Sequence, residues 1–324
     1  MMDHGGLIWA PARILCGILS FFYRLVSGIR VLFYHVNILP VRRLSCPVIS
    51  IGNITSGGTG KTPAVIFLAR ALSEAGKNVS VLTRGYKGGD EARLLEQKLP
   101  MVEVLVGKNR FRSGRRASGE VCIMDDGFQH ISLHRDLNIL LIDATNPFDN
   151  RKLLPRGFLR EPLTSIKRAD LLLLTKVNLA DQQRLQEIKR EIQELNIPVV
   201  ETIHKPAEVI LAGEKKESFS PNILYGKQVT AFSSIGSPDS FSRTLKGLGA
   251  RVEQHFVYPD HYRYKRKDVE YIKRKAGRTL MVTTEKDGMR LPADFSGYYM
   301  LRVELTIISN RESWEHAIQK VISR

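Results

Sequence analysis

Residues 50–62 read Ser-Ile-Gly-Asn-Ile-Thr-Ser-Gly-Gly-Thr-Gly-Lys-Thr, a glycine-rich turn directly after the apolar run 47–51. This is the layout of a phosphate-binding loop between a strand and a helix. Glycines let the backbone turn its N–H groups toward phosphate oxygens, Lys61 supplies a point charge, and the Thr62 hydroxyl can hold Mg²⁺. The helix expected over 64–75 adds its positive end to the same place. The predicted nucleotide cradle is therefore Thr55, Ser56, Gly57, Gly58, Thr59, Gly60, Lys61 and Thr62. One position departs from the common pattern: Thr55 stands where the first glycine is usual, five residues before Gly60.

A chain of 324 residues suggests two domains, or one with a large appendage. Its three cysteines, Cys16, Cys46 and Cys122, form no CxxC pair, which fits a reducing compartment rather than a disulfide framework or a zinc site. A formal charge of +16 calls for an anionic partner: nucleic acid, anionic lipid or a phosphorylated substrate. No base-reading motif accompanies the charge, so nucleic acid is not expected.

The N-terminus favours lipid. Residues 7–36 are mostly apolar but are interrupted by Arg13, Arg24 and Arg30, and the unbroken stretch 14–23 is shorter than the roughly 20 residues a bilayer crossing needs. On a helix, Arg13, Gly17, Ser20, Arg24 and Ser27 form one narrow polar stripe, and apolar and aromatic residues cover the remainder. That pattern predicts an amphipathic helix lying in the membrane interface. No small-residue cleavage site follows it, which argues against a secretory signal.

Beyond residue 40, short apolar strands alternate with helices. Strands are expected at 48–52, 78–83, 102–106, 121–124, 137–142 and 170–175, with helices near 63–75, 91–99 and 181–196. This alternation predicts a mostly parallel α/β sheet with ligands at the carboxyl ends of the strands. From about residue 200 the pattern loosens. A smaller α/β segment then runs through 229–232, 238–248, 252–258, 268–275 and 279–283. The expected organisation is a membrane helix over 1–38, a P-loop domain over 39–204, a hinge over 205–227 and a closing domain over 228–324.

The strand at 121–124 ends in Asp125 and Asp126, placed to hold Mg²⁺ or its water shell opposite Thr62. Two patterns speak against guanine nucleotides. A DxxG switch ending at Gly127 would need aspartate where Met124 stands, and a TKxD reader would need it at Asn178. ATP is the expected nucleotide.

Taken together, several strings resemble the tetraacyldisaccharide 4'-kinase family. They are Pro47-Val48-Ile49-Ser50-Ile51-Gly52-Asn53, Gly57-Gly58-Thr59-Gly60-Lys61-Thr62, Arg84-Gly85-Tyr86-Lys87, Gly89-Asp90-Glu91 and Asp125-Asp126-Gly127-Phe128-Gln129-His130. His134-Arg135-Asp136-Leu137, Leu159-Arg160-Glu161-Pro162-Leu163, Pro259-Asp260-His261-Tyr262 and Thr283-Thr284-Glu285-Lys286-Asp287 complete the set. The resemblance implies a P-loop domain, a smaller C-terminal domain across a cleft and an N-terminal membrane-associated helix. It implies ATP- and Mg²⁺-dependent phosphorylation of a lipid A precursor at the cytoplasmic face of the inner membrane. No obligate protein partner is indicated. The family shares the Thr55 departure.

Carried over by residue, the resemblance puts Lys61 on the β- and γ-phosphates and Thr62 with Asp125 or Asp126 on Mg²⁺. It makes Asp90 the base that accepts the acceptor's proton, assisted by His261 from the other domain. Arg84, Tyr86, His130, Arg160 and Glu161 are the substrate-binding candidates; a guanidinium suits a phosphoryl group, and Glu161 is placed toward the metal or Lys61. Two departures stand out. Only Gly88 separates Lys87 from Gly89, where the family has a longer insertion, and Ala92 replaces a common proline. Two rival readings remain at this level: a membrane-associated ATPase of the partitioning or chaperone kind, and a basic membrane-binding protein with a degenerate loop.

Overall fold

A computed structural model of the chain describes residues 10–85, 89–213 and 217–323. Strand β1 (Val48–Gly52) is buried at every position and lies between β4 (Val121–Asp125) and β5 (Leu137–Asp143), parallel to both. A strand covered on both faces cannot alternate, which is why its sequence reads as a continuous apolar run. Outward from β4 lie β2 (Val79–Thr83) and β3 (Glu103–Val106); outward from β5 lies β6 (Leu171–Thr175). Each expected strand up to residue 175 forms, shifted by a residue at one end at most. Helix α2 (Lys61–Glu74) follows β1 and buries Ala64, Val65, Leu68, Ala69 and Leu72 against the sheet. Helix α3 (Asp90–Lys98) precedes β3, and α4 (Arg110–Gly114) and α5 (Gln182–Gln193) complete this half.

The sheet does not stop at residue 200. Strand β7 (Val199–Ala212) pairs in parallel with β6 and antiparallel with β12 (Tyr298–Ser309), and through them the sheet continues into β11 (Leu280–Thr284), β9 (Gln228–Ser233) and β10 (Arg251–Val257). The short β8 (Glu217–Phe219) pairs only with β7. One mixed sheet of twelve strands thus carries both halves, so residues 205–212 of the expected hinge segment are strand. The local pattern hid β7 because Pro206, which lacks an N–H, sits where the pairing shifts register opposite Arg302 and Val303. Helices α6 (Pro238–Gly247), α7 (Arg266–Ala276) and α8 (Glu285–Gly288) flank the second half, whereas α9 (Arg311–Ile322) returns to the first and buries Trp314, Ile318 and Val321 in its core beside α2.

Helix α1 (Ala10–His35) stands apart from both cores. It is long and apolar enough to cross a bilayer by length and composition. Part of its predicted polar stripe faces the body: Gly17, Ser20 and Ser27 are half-buried, whereas Arg13 and Arg24 are exposed. Ser20 Oγ donates to Leu153 O at 3.0 Å, and from beside the stripe Tyr23 Oη donates to Arg160 O at 2.8 Å and an Arg30 nitrogen to Gln129 O at 3.1 Å. Ile14, Phe21, Phe22, Val26 and Leu32 face outward, all more than half exposed.

Candidate active site

The carboxyl ends of β1, β2, β4, β5 and β6 converge on a cleft of about 1070 Å³. Its floor is the loop from Ser56 to Thr62. Gly60 takes φ +91°, a left-handed conformation that glycine adopts without strain, and caps α2 so that the helix's first N–H groups point into the cleft. Thr55, the departure from the usual glycine, is buried and bridges to Leu159, and Ser56 N donates to Phe158 O at 2.7 Å. Threonine here ties the rim of the loop to the segment that carries Arg160.

Lys61 Nζ donates to Asn53 Oδ1 at 3.2 Å and lies 3.5 Å from Asp126 Oδ1. Arg160 holds both oxygens of Asp126 at 3.0 Å. Burial works to raise the Asp126 carboxyl, but Lys61 and Arg160 outweigh it and leave it below the ordinary carboxylate range. Its neighbour behaves oppositely. Asp125 is buried and accepts from Thr83 Oγ1 at 3.1 Å, and burial, with Glu91 and Asp126 nearby, pushes it up to about 6. One carboxylate is already neutralised by protein cations, while for the other burial outweighs the pull of Lys61.

Asp90 and His261 come from opposite halves and meet on one side chain. Arg290 Nε donates to Asp90 Oδ2 at 3.0 Å, and its Nη2 contacts His261 Nδ1 at 3.0 Å. His261 lines the cleft; Asp90, only 4% exposed, lies behind the wall that Glu91 and Lys286 present there. His261 is held below its ordinary range by burial and the charge of Lys286, with Arg290 adding and Asp260 opposing.

Arg84 is exposed on the cleft wall. His130 lines the same wall, and burial with Arg110, Arg30, Arg135 and Arg84 lowers it to about 4, so it is neutral at pH 7. Glu161 departs from its expected place: it is buried in a pair with Arg168, which itself stacks on Phe128 at 4.6 Å, and meets neither Lys61 nor the cleft. A carboxylate beside a partly buried guanidinium has its partner close at hand. Tyr86 lies outside the described residues.

A model of the tetraacyldisaccharide-1-P 4'-kinase family, LpxK, matches residues 12–323. The chain belongs to the tetraacyldisaccharide-1-P 4'-kinase family. It is 36% identical to the tetraacyldisaccharide 4'-kinase of Syntrophus aciditrophicus (strain SB), covering 97% of this chain and 94% of that one. With the corresponding protein of Geobacter metallireducens it shares 35% identity over 95% of this chain and 98% of the relative. A crystal structure of LpxK from Aquifex aeolicus in complex with ATP superposes with a TM-score of 0.73, at 29% identity, over 96% of this chain and 99% of that one.

This member of the kinase family also has site residues that its sequence did not single out. Arg110 is buried, donates to Asp125 O at 3.2 Å and leaves Nε unpartnered among the described residues. Lys176 is buried with its Nζ 2.7 Å from Gly58 O and paired to Asp143. His204 lies 2.6 Å from where a Cβ on Gly60 would stand, its Nε2 is unpartnered, and burial beside Lys176 lowers it to about 3. Arg110 and His204 lie outside any motif; Lys176 is the lysine of the string tested for guanine reading, and Arg290 lies just after Thr283-Thr284-Glu285-Lys286-Asp287.

Proposed function

We propose that this kinase transfers the γ-phosphoryl group of ATP to the 4'-hydroxyl of a tetraacyldisaccharide 1-phosphate at a membrane surface. The observation that carries the reading is the composition of the cleft. Tyr23 and Arg30 of α1 line the same cavity as Lys61 and Thr62, so the helix with the bare apolar face is also a wall of the phosphate site. An exposed apolar face of that extent marks a membrane or partner surface. Its contacts from Ser20 to Arg30 keep α1 against the body, which suits a helix lying in the interface of the inner membrane's cytoplasmic face.

In this reading Lys61 leaves Asn53 and Asp126 for the β- and γ-phosphates, and the loop's N–H groups hold the remaining oxygens. Thr62 and Asp125 are the residues that would hold Mg²⁺, with Asp126 behind them. Asp125 fits because it is a buried carboxyl at the end of β4 that burial and the neighbouring Glu91 and Asp126 raise, so added positive charge there is favourable. When bound, the ion neutralises charge developing on the transferring phosphoryl group.

Asp90 accepts the proton of the attacking hydroxyl. His261 cannot take it at Nδ1: an arginine only donates, so Nδ1 is an acceptor facing Arg290 and the ring hydrogen sits on Nε2. From the cleft wall that Nε2–H orients the hydroxyl. To reach Asp90, the acceptor displaces the Glu91–Lys286 pair that screens it from the cleft, while Arg290 keeps the carboxylate in place. We read residues 39–204 and 228–324 as halves that close on each other, with 205–227 as their connection. Glu91–Lys286 at 2.5 Å, Lys98–Glu285 and Asp90–Arg290 latch α3 to the α8 turn.

The test is mass-detected phosphate transfer from ATP to a tetraacyldisaccharide 1-phosphate, with Mg²⁺ present. Transfer should occur, and Lys61→Ala should lose about 100-fold or more in kcat. ATP turnover that ignores the lipid acceptor would instead support a membrane-associated ATPase.

A further inference from the structure

We infer that Arg290 is a positioning residue that sets the geometry of the Asp90–His261 pair from between them. The inference rests on the reading of Asp90 as base. Arg290 has a fully buried side chain, and its donors are distributed over three groups. Nε goes to Asp90 Oδ2 at 3.0 Å and Nη2 to His261 Nδ1 at 3.0 Å. Nη1 goes to Ser234 O at 2.8 Å and Ser234 Oγ at 3.1 Å. The planar guanidinium therefore fixes a carboxylate of the first half and an imidazole of the second in one rigid frame, which no lysine could do with a single nitrogen.

The frame is itself anchored. Asp287, on the same turn, lies 3.7 Å from Arg290 and accepts from Ser234 N at 2.9 Å, Ser234 Oγ at 2.5 Å and Thr284 Oγ1 at 2.7 Å. This gives the Thr283-Thr284-Glu285-Lys286-Asp287 string a job. Thr284 caps the turn, Asp287 anchors Ser234 and Arg290, and Glu285 and Lys286 latch α3. Ser234 O also accepts from His261 N at 3.1 Å, so the backbone and the ring of His261 are held by one network. That support matters because His261 sits at φ +63°, a conformation a β-substituted residue adopts only when its surroundings impose it.

The guanidinium does two things for the reaction. It balances the buried carboxylate of Asp90, to which Arg263 adds a second guanidinium at 3.7 Å. It also selects the His261 tautomer that presents Nε2–H, in a setting where Asp260, Glu91 and Lys286 are the other charged groups facing the ring.

The test compares Arg290→Lys, His261→Ala, Asp90→Asn and the double variant His261→Ala/Arg290→Lys, each checked for folding by ATP affinity and thermal midpoint. Arg290→Lys should bind ATP as the parent does and lose up to about 100-fold in kcat, the scale of a misplaced catalytic group. Because Arg290 acts partly through His261, the double variant should fall short of the product of the single losses. A folded Arg290→Lys with parental kcat, or losses that multiply in full, overturns the inference. Asp90→Asn with parental activity overturns the base assignment instead. Where the variants do not fold, ¹⁵N-histidine spectra of the parent decide: a bare, acceptor Nδ1 on His261 supports the inference, and a protonated Nδ1 refutes it.

Discussion

Gly58 O accepts a hydrogen bond from Lys176 Nζ at 2.7 Å, although the two residues lie 118 positions apart. Lys176 is only 3% exposed, pairs with Asp143, and follows Thr175, whose Oγ1 donates to Thr59 O at 2.9 Å. The end of β6 therefore grips the phosphate loop from beneath at two successive carbonyls. The charge of Lys176 is used up on the loop and on Asp143. Lys176→Met keeps the stem but leaves a buried carboxylate and a carbonyl unpaired, a loss of about 3–5 kcal/mol. Chemical denaturation should show that drop, and equilibrium binding should show weakened ATP affinity. Parental ATP affinity in the variant would remove Lys176 from the nucleotide site.

The second half touches the loop directly. A Cβ on Gly236 would lie 2.8 Å from the Gly57 carbonyl carbon and would collide with Gly58 N. Backbone meets backbone there, so neither side can yield as a flexible side chain would. Gly236→Ala should push the halves apart at a cost of about 1–3 kcal/mol. We expect a higher KM for ATP and a faster wasteful hydrolysis, because water then reaches the γ-phosphate. A variant with parental KM would show that this close approach does not form with ATP bound.

Asp125 makes a prediction whose sign depends on pH. Unfolded, its carboxyl ionises near 3.8; folded, it does so near 6. Between these values the folded chain holds a proton that the unfolded chain has lost. The group's stabilising effect is full below pH 3.8 and gone above pH 6, a change of about 3 kcal/mol. Asp125→Asn removes that penalty and can still accept from Thr83. The metal-free variant should melt higher than the parent at pH 8 and much closer to it at pH 4.5, while losing phosphotransfer. Equal midpoints at pH 8 would mean the carboxyl titrates normally.

The first half of the fold was legible because each strand is a short apolar run ended by a turn residue. The loop's chemistry follows from composition: Gly57, Gly58, Gly60, Lys61 and Thr62 are needed by the phosphate whatever lies around them. What the sequence hid is long-range. Nothing local to 199–212 announces a strand whose partner, 298–309, lies far along the chain, and Pro206 argues against one. Glu161 was misplaced because its partner Arg168 is chosen by packing against Phe128. Arg290 went unread for the same reason. Its role exists only when Asp90, Ser234 and His261, from three distant segments, are brought around it.

The polar stripe of α1 was read correctly as a stripe but says nothing by itself about which way it points. Ser20 of the stripe, with Tyr23 and Arg30 beside it, ties that side of the helix to the body, while Arg13 and Arg24 stay exposed and the apolar residues face outward. Phe21 and Phe22 are 64% and 56% exposed, and removing them opens no cavity in either core. Phe21→Ser and Phe22→Ser should therefore leave the thermal midpoint unchanged. Each should weaken binding to anionic vesicles by about 1.5 kcal/mol, roughly tenfold. Phosphorylation of a vesicle-borne acceptor should fall with that binding, while a detergent-dispersed acceptor is turned over at the parental rate. If the variants sediment with vesicles as the parent does, the outward face of α1 is not the membrane surface.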